Sequence, residues 1–329
     1  MAILVTGGAG YIGSVVVDDL LQAGERVVVL DDLSRGHLEA VGRDVKFYEG
    51  EIGDSDLVRR ICKDDPISTV MHFSAFAYVG ESVEQPDRYY ANNTFQTMRL
   101  LDMLVECGVK QFVFSSSCAT YGEPQYTPID EKHPQWPTNP YGWSKLFVEQ
   151  MLRDYERAFG LRFVSLRYFN AAGATRTHGE HHEPETHLIP LVLEAAAGKR
   201  PHISIFGTDY PTPDGTAIRD YIHISDLSQA HLLAVKYLDQ GGVPDFFNLG
   251  TEDGDSVLEV VEAARRITGM PITVKNEPRR PGDPSRLVAD AAKAKAVLGW
   301  KPDFPLIDSI IESAWEWHRS NANGYMEKR

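Results

Sequence analysis

Along the first half of the chain, apolar positions fall into short unbroken runs separated by longer stretches where they recur at helical spacing. The runs are Ala2 to Thr6, Arg26 to Leu30, Val45 to Tyr48, Thr69 to Phe73, Gln111 to Ser115 and Arg162 to Arg167. Such runs predict strands buried on both faces. Their alternation with helical patterns at Tyr11 to Ala23, Tyr89 to Cys107 and Tyr141 to Phe159 predicts a parallel sheet covered by helices on both sides, a doubly wound α/β fold.

Past Asn170 the texture changes. A polar loop runs from Thr175 to Glu185, and turn-rich stretches span Phe206 to Gly215 and Glu277 to Pro284. Residues 1–170 are therefore expected to form a cofactor domain and residues 171–329 mainly a smaller mixed α/β substrate-binding region. Segments near 216–250 are expected to return to the first sheet, because the run Asp245 to Leu249 is apolar enough to be buried in it.

Composition narrows the function classes. The net charge of −14 comes without a basic stripe, so nucleic acid is not an expected partner. No apolar run approaches the roughly 18 residues of a membrane span, and the first residues lead straight into an apolar run without a charged segment, so neither a membrane partner nor a targeting signal is expected. Cys62, Cys107 and Cys118 are an odd set without close spacing, which suits a reducing compartment and predicts a cytoplasmic location.

The first run leads into Gly7-Gly8-Ala9-Gly10-Tyr11-Ile12-Gly13. Gly7, Gly10 and Gly13 form a GxxGxxG loop between strand and helix, where glycines let the backbone approach a pyrophosphate and the helix N-terminus offers free N–H groups. Asp31 ends the second run, where a carboxylate accepts hydrogen bonds from adenosine ribose hydroxyls and repels a 2′-phosphate. The cofactor this predicts is NAD, held on a Rossmann-type sheet, although Arg35 is close enough in sequence to temper the choice against NADP.

Tyr141 and Lys145 lie four residues apart at the start of a helix opened by Pro140, so they share a helical face. A tyrosine is a poor base near neutrality, and a nearby ammonium or a cationic nicotinamide ring would favour its phenolate. The run from Gln111 ends in Ser115-Ser116-Ser117, which places hydroxyls at the edge where such sheets bind ligands. Tyr141, Lys145 and Ser117 are the candidate catalytic residues.

These motifs, with Val79-Gly80-Glu81-Ser82-Val83, Tyr121-Gly122, Arg167-Tyr168-Phe169-Asn170 and the block from Asp209-Tyr210 to Arg219-Asp220-Tyr221-Ile222-His223, span nearly the whole chain. Through them it resembles the extended short-chain dehydrogenase/reductase superfamily and, within it, the UDP-glucose 4-epimerase family. The resemblance implies a retained NAD and inversion at C4 of a UDP-sugar, UDP-glucose and UDP-galactose first and UDP-xylose and UDP-arabinose second, through a transient 4-keto sugar. It implies cofactor contacts at Tyr11, Ile12, Glu51, Ile52, Phe73, Asn92, Tyr141, Lys145 and Phe169. Substrate contacts are implied at Ser117, Tyr141, Asn170, Leu188, Arg219, Tyr221, Arg280 and Asp283, and a homodimer is implied through helices of the first domain.

Some positions depart from the family pattern. Ala77 stands where many members carry a lysine, and His187 where an asparagine is usual near the uridine phosphates. Cys118-Ala119 follows the reactive serine, a variant also found in relatives acting on UDP-pentoses, while Leu287 matches a position beside the sugar that limits N-acetyl substrates. Sugar-nucleotide dehydratases place an Asp-Glu pair at the positions of Cys118 and Ala119, so dehydration is not expected. A non-catalytic NAD-binding regulator remains the remote alternative. His178, His181, His182 and His187, with Glu180 and Glu183, lie in a polar loop without an HExxH pattern, so a solvated loop and no metal are expected.

Overall fold

The computed structural model describes residues 1–280 and 282–325. Seven strands lie side by side in one all-parallel sheet, in the spatial order Asp245–Leu249, Arg162–Tyr168, Gln111–Ser117, Ile67–His72, Ala2–Thr6, Val27–Asp31 and Lys46–Glu49. Chain order reverses on either side of Ala2–Thr6, which opens a crevice beyond its C-terminal end.

The unbroken apolar runs reflect a sheet buried on both faces. Ile3, Val5, Val27, Val29, Met71 and Val113 face one core, together with the helices Tyr11–Gln22 and Ile224–Asp239. The alternate residues Ala2, Leu4, Val28, Leu30, Val70 and Phe112 face a second core under Ser55–Asp64, Thr97–Glu106 and Pro140–Phe159. A third core joins Leu188–Ala196, Val257–Thr268 and Ile307–Ser320 in the later region. The strand Asp245–Leu249 pairs in parallel with Arg162–Tyr168, so the chain does return to the first sheet.

Two expected elements differ in shape. The serine-ended strand runs to Ser117, because Ser115 to Ser117 continue the ladder to Leu166 to Tyr168 instead of ending it. The expected helix from Tyr89 to Cys107 is interrupted: a short α-turn at Pro86–Tyr89 leads into a wider π-helical segment at Tyr90–Gln96 and then the α-helix Thr97–Glu106.

Candidate active site

The glycine loop packs too closely for side chains. Gly7 has φ +74°, and a Cβ there would lie 2.5 Å from the Ser74 backbone nitrogen; a Cβ on Gly13 would lie 2.1 Å from the Gly7 carbonyl oxygen. The helix that follows begins at Gly10 without a side-chain cap, leaving its first N–H groups for a ligand. Beneath the loop, Asp31 is buried and accepts from the Ala9 and Leu33 N–H groups, each at 2.9 Å. Arg35 turns to Glu81 at 3.0 Å and lies over the Tyr78 ring at 5.0 Å, so its charge is already committed away from the ribose position. This cradle and carboxylate fit a dinucleotide pyrophosphate and an unphosphorylated ribose.

Asn139 caps the helix Pro140–Phe159 by accepting from Gly142 N–H at 2.9 Å, which fixes the first turn and with it Tyr141. Ser117, whose hydroxyl accepts from Ala119 N–H at 3.1 Å, is the polar side chain that acts on the Tyr141 phenol. Lys145 is buried, donates from Nζ to the Ser115 carbonyl oxygen at 2.8 Å, and stands 5.9 Å from the Tyr141 ring centre. Burial pushes Tyr141 up to about 12, against the pull of Ser117, and pulls Lys145 down to about 7, against the Glu149 charge. Burial dominates both shifts.

Behind this triad lies a network that the sequence did not single out. Glu149 and Arg167, both 1% exposed, pair at 2.7 Å, and the Glu149 carboxylate also accepts from Ser116, Ser165 and Gln135. Arg167 reaches the Tyr121 hydroxyl at 2.9 Å, and the hydroxyls of Tyr168 and Ser115 bond to each other. Asn93 accepts from Phe76 N–H at 2.9 Å and donates to Ser144 Oγ at 3.0 Å, tying the segment after His72 to the helix Pro140–Phe159. Its neighbour Asn92, the residue implied by the family, donates to the Asn93 side chain.

The remaining candidates lie on several different elements. Phe73 and Phe169 follow directly on the strands ending at His72 and Tyr168. Tyr11 spends its hydroxyl on the Gly173 carbonyl at 2.6 Å, and Ile52 packs its side chain into the second core, so only their backbones are free for a cofactor. Glu51 is exposed and accepts from Gln96 at 2.6 Å. On the nucleotide side, Tyr221 pairs in register with Asn170 and Arg219 with Leu287. Arg219 is ion-paired with Asp283, Arg280 lies 3.9 Å over the Phe206 ring, and Leu188 opens the helix Leu188–Ala196. Leu287 and Cys118 both pack against the small cluster of Tyr121, Ile129, Phe169 and Ala289, which brings this group toward the Ser117 end of the sheet.

One expectation changes. The histidine loop is not fully solvated: His178 and Glu180 are each 5% exposed, and Glu180 faces His182 and His187 at 3.3 Å and 2.8 Å, a packing that composition alone cannot reveal. Cys62, Cys107 and Cys118 are all free cysteines, as their spacing suggested.

The family described as the NAD dependent epimerase/dehydratase family matches residues 3–250. A UDP-glucose 4-epimerase of Halalkalibacterium halodurans is 52% identical over 327 residues, covering 99% of this chain and 98% of that protein. Among solved structures, the UDP-glucose 4-epimerase of Brucella ovis in complex with NAD superposes with a TM-score of 0.94 at 47% identity, covering 96% of this chain and 98% of that one. The enzyme of Bifidobacterium longum in complex with NAD+ and UDP gives 0.92 at 40% identity, covering 98% of this chain and 100% of that one.

Proposed function

This chain belongs to the NAD dependent epimerase/dehydratase family, and from that premise we infer that it interconverts UDP-glucose and UDP-galactose by inverting C4, with NAD as its cofactor. The observation that carries the reading is the placement of Tyr141 and Lys145 on one helix, with Lys145 bonded to the strand that ends in Ser117, at the sheet edge onto which the glycine loop opens. When bound, NAD supplies a hydride acceptor and donor and a positive ring beside the tyrosine.

The chain's own residues do the rest. Tyr141 removes the proton of the sugar 4-hydroxyl as C4 becomes a ketone, and returns it after the ketose has turned over in the site. Ser117 hydrogen-bonds the reacting oxygen and shares the charge that develops on it. Lys145 orients the cofactor ribose and adds positive potential. Gly7, Gly10, Tyr11, Ile12, Gly13, Asp31, Glu51, Ile52, Phe73, Asn92 and Phe169 line the cofactor. Asn170, Leu188, Arg219, Tyr221, Arg280 and Asp283 hold the UDP moiety, with guanidinium groups suited to phosphate oxygens.

The same reading divides the chain at about residue 170 into a cofactor part and a mainly nucleotide-sugar part. It includes a homodimer: Phe95 and Phe147, 51% and 41% exposed on neighbouring helical segments of the cofactor part, support an apolar contact with a second copy. It also places the protein in the cytoplasm, as its three free cysteines support. No described helix is long and apolar enough to cross a membrane.

A Tyr141→Phe protein tests the reading. It should fold and retain NAD while losing turnover by about 10²–10⁴-fold; turnover near the parent's would overturn the assignment.

A further inference from the structure

The loop that leads into the helix Leu188–Ala196 carries two Glu-x-His pairs, Glu180 with His182 and Glu185 with His187. The fold brings all four side chains to one point, their nearest ligand atoms lying within 4.8 Å of one another. His187 Nδ1 stands 2.8 Å from Glu180 Oε1 and 2.9 Å from Glu185 Oε1, and His182 Nδ1 stands 3.3 Å from Glu180 Oε1 and 3.6 Å from Glu185 Oε2. Ligands at about 2.0–2.1 Å from a tetrahedral ion lie about 3.3 Å from each other. The quoted contacts, 2.8 to 3.6 Å, bracket that spacing, with both Glu185 oxygens taking part.

Polar atoms are left over here. His182 Nδ1 is buried yet makes no hydrogen bond, despite its two carboxylate neighbours, and the buried Tyr78 hydroxyl is also unpartnered. The Tyr78 ring lies 6.0 Å and 5.9 Å from the His182 and His187 rings. The ligand set is meanwhile braced from outside: Glu185 Oε1 accepts from the backbone N–H groups of Thr186 and His187 at 2.7 Å and 2.8 Å, which fixes its orientation.

We infer that Glu180, His182, Glu185 and His187 form a binding site for a first-row divalent metal ion, with zinc the best match to two imidazoles and two carboxylates. Two carboxylates offer the negative charge that a divalent ion needs, and two imidazoles bind such an ion in their neutral form. The ion acts as a clasp and has no part in hydride or proton transfer. His182 lies edge-on to Tyr11 at 6.3 Å, and Tyr11 starts the helix behind the glycine loop, so the ion pins the substrate-side loop onto the cofactor fold.

The test uses untagged protein with its NAD, treated with chelator, equilibrated with zinc or magnesium, and dialysed before metal analysis. About one zinc per chain should be retained and no magnesium, and His182→Ala and His187→Asn should weaken zinc binding at least about 100-fold. Both variants are checked for native circular dichroism, and His181→Ala, which alters a histidine outside the cluster, should keep the ion. Cobalt in place of zinc should give the intense visible absorption of a tetrahedral site. A wild-type protein that retains no zinc, that prefers magnesium, or whose zinc survives both folded variants would overturn the site.

Discussion

Lys145 and Ser115 are joined by a hydrogen bond of 2.8 Å from the lysine Nζ to the serine carbonyl oxygen, which ties the helix bearing Tyr141 to the strand bearing Ser117. The lysine is therefore an anchor of the site as well as a charge in it. Lys145→Met should lower turnover by about 10²-fold or more and release NAD more readily, which is measured by the nucleotide that stays with the protein through gel filtration.

Burial gives the same lysine a pH signature. Its pKa is pulled down to about 7 in the folded chain, against about 10.4 in an unfolded one. Between those values the unfolded chain binds the extra proton, so this group makes folding more favourable as pH rises through that window. In NAD-stripped protein, the melting temperature of the parent relative to Lys145→Met should climb from pH 7 toward pH 9. A difference that does not vary with pH would contradict it.

Glu149 also titrates below its ordinary value, so its contribution too grows as pH rises, but here its partners and not burial lower it. Arg167 and three further donors hold its carboxyl below the ordinary value of 4.5. Its contribution is present above that value and is lost as pH falls through the lowered one. Glu149→Ala leaves Arg167 buried and unpaired and should cost about 3–5 kcal/mol near neutrality. In urea titrations, the gap between parent and variant should narrow below pH 4.

How much of this could be read from residues alone depends on what each element buries. Strands such as Ala2–Thr6 and Asp245–Leu249 were legible because both faces are covered and almost every position is apolar. Ser115 and Ser116 read as a strand ending, yet both are buried, because Tyr168 and Glu149 satisfy their hydroxyls from elements far along the chain. The π-helical segment at Tyr90–Gln96 leaves apolar periodicity almost unaltered, so Asn93 could not be seen turning inward. Tyr141, Lys145 and Ser117 stood out through motif order, whereas the network behind them and the histidine cluster depend on pairings that only the fold creates.

Leu287 should set the size of the sugar pocket. It packs against the cluster that holds Phe169, as Cys118 does, so Leu287→Ala should raise kcat/KM for UDP-N-acetylglucosamine relative to UDP-glucose by about 10-fold or more. Steady-state kinetics with both sugars check this, and an unchanged ratio would place the sugar elsewhere.

Arg219, held by Asp283 on the nucleotide side, should act on binding more than on chemistry. Arg219→Ala should raise KM by about 10–100-fold, the loss of a charge-assisted hydrogen bond, with kcat changed far less. A fall in kcat at unchanged KM would move Arg219 from binding into the catalytic step.

The central claim is a C4 inversion run with a cofactor that stays in the protein. The direct measurement is to incubate purified protein with UDP-glucose, and separately with UDP-xylose, without added NAD, and to separate the products by chromatography. The account predicts UDP-galactose from UDP-glucose at a sustained rate through many turnovers, with slower or no conversion of the pentose. No epimer from either sugar with NAD bound, or net accumulation of reduced cofactor with an oxidised sugar, would contradict it.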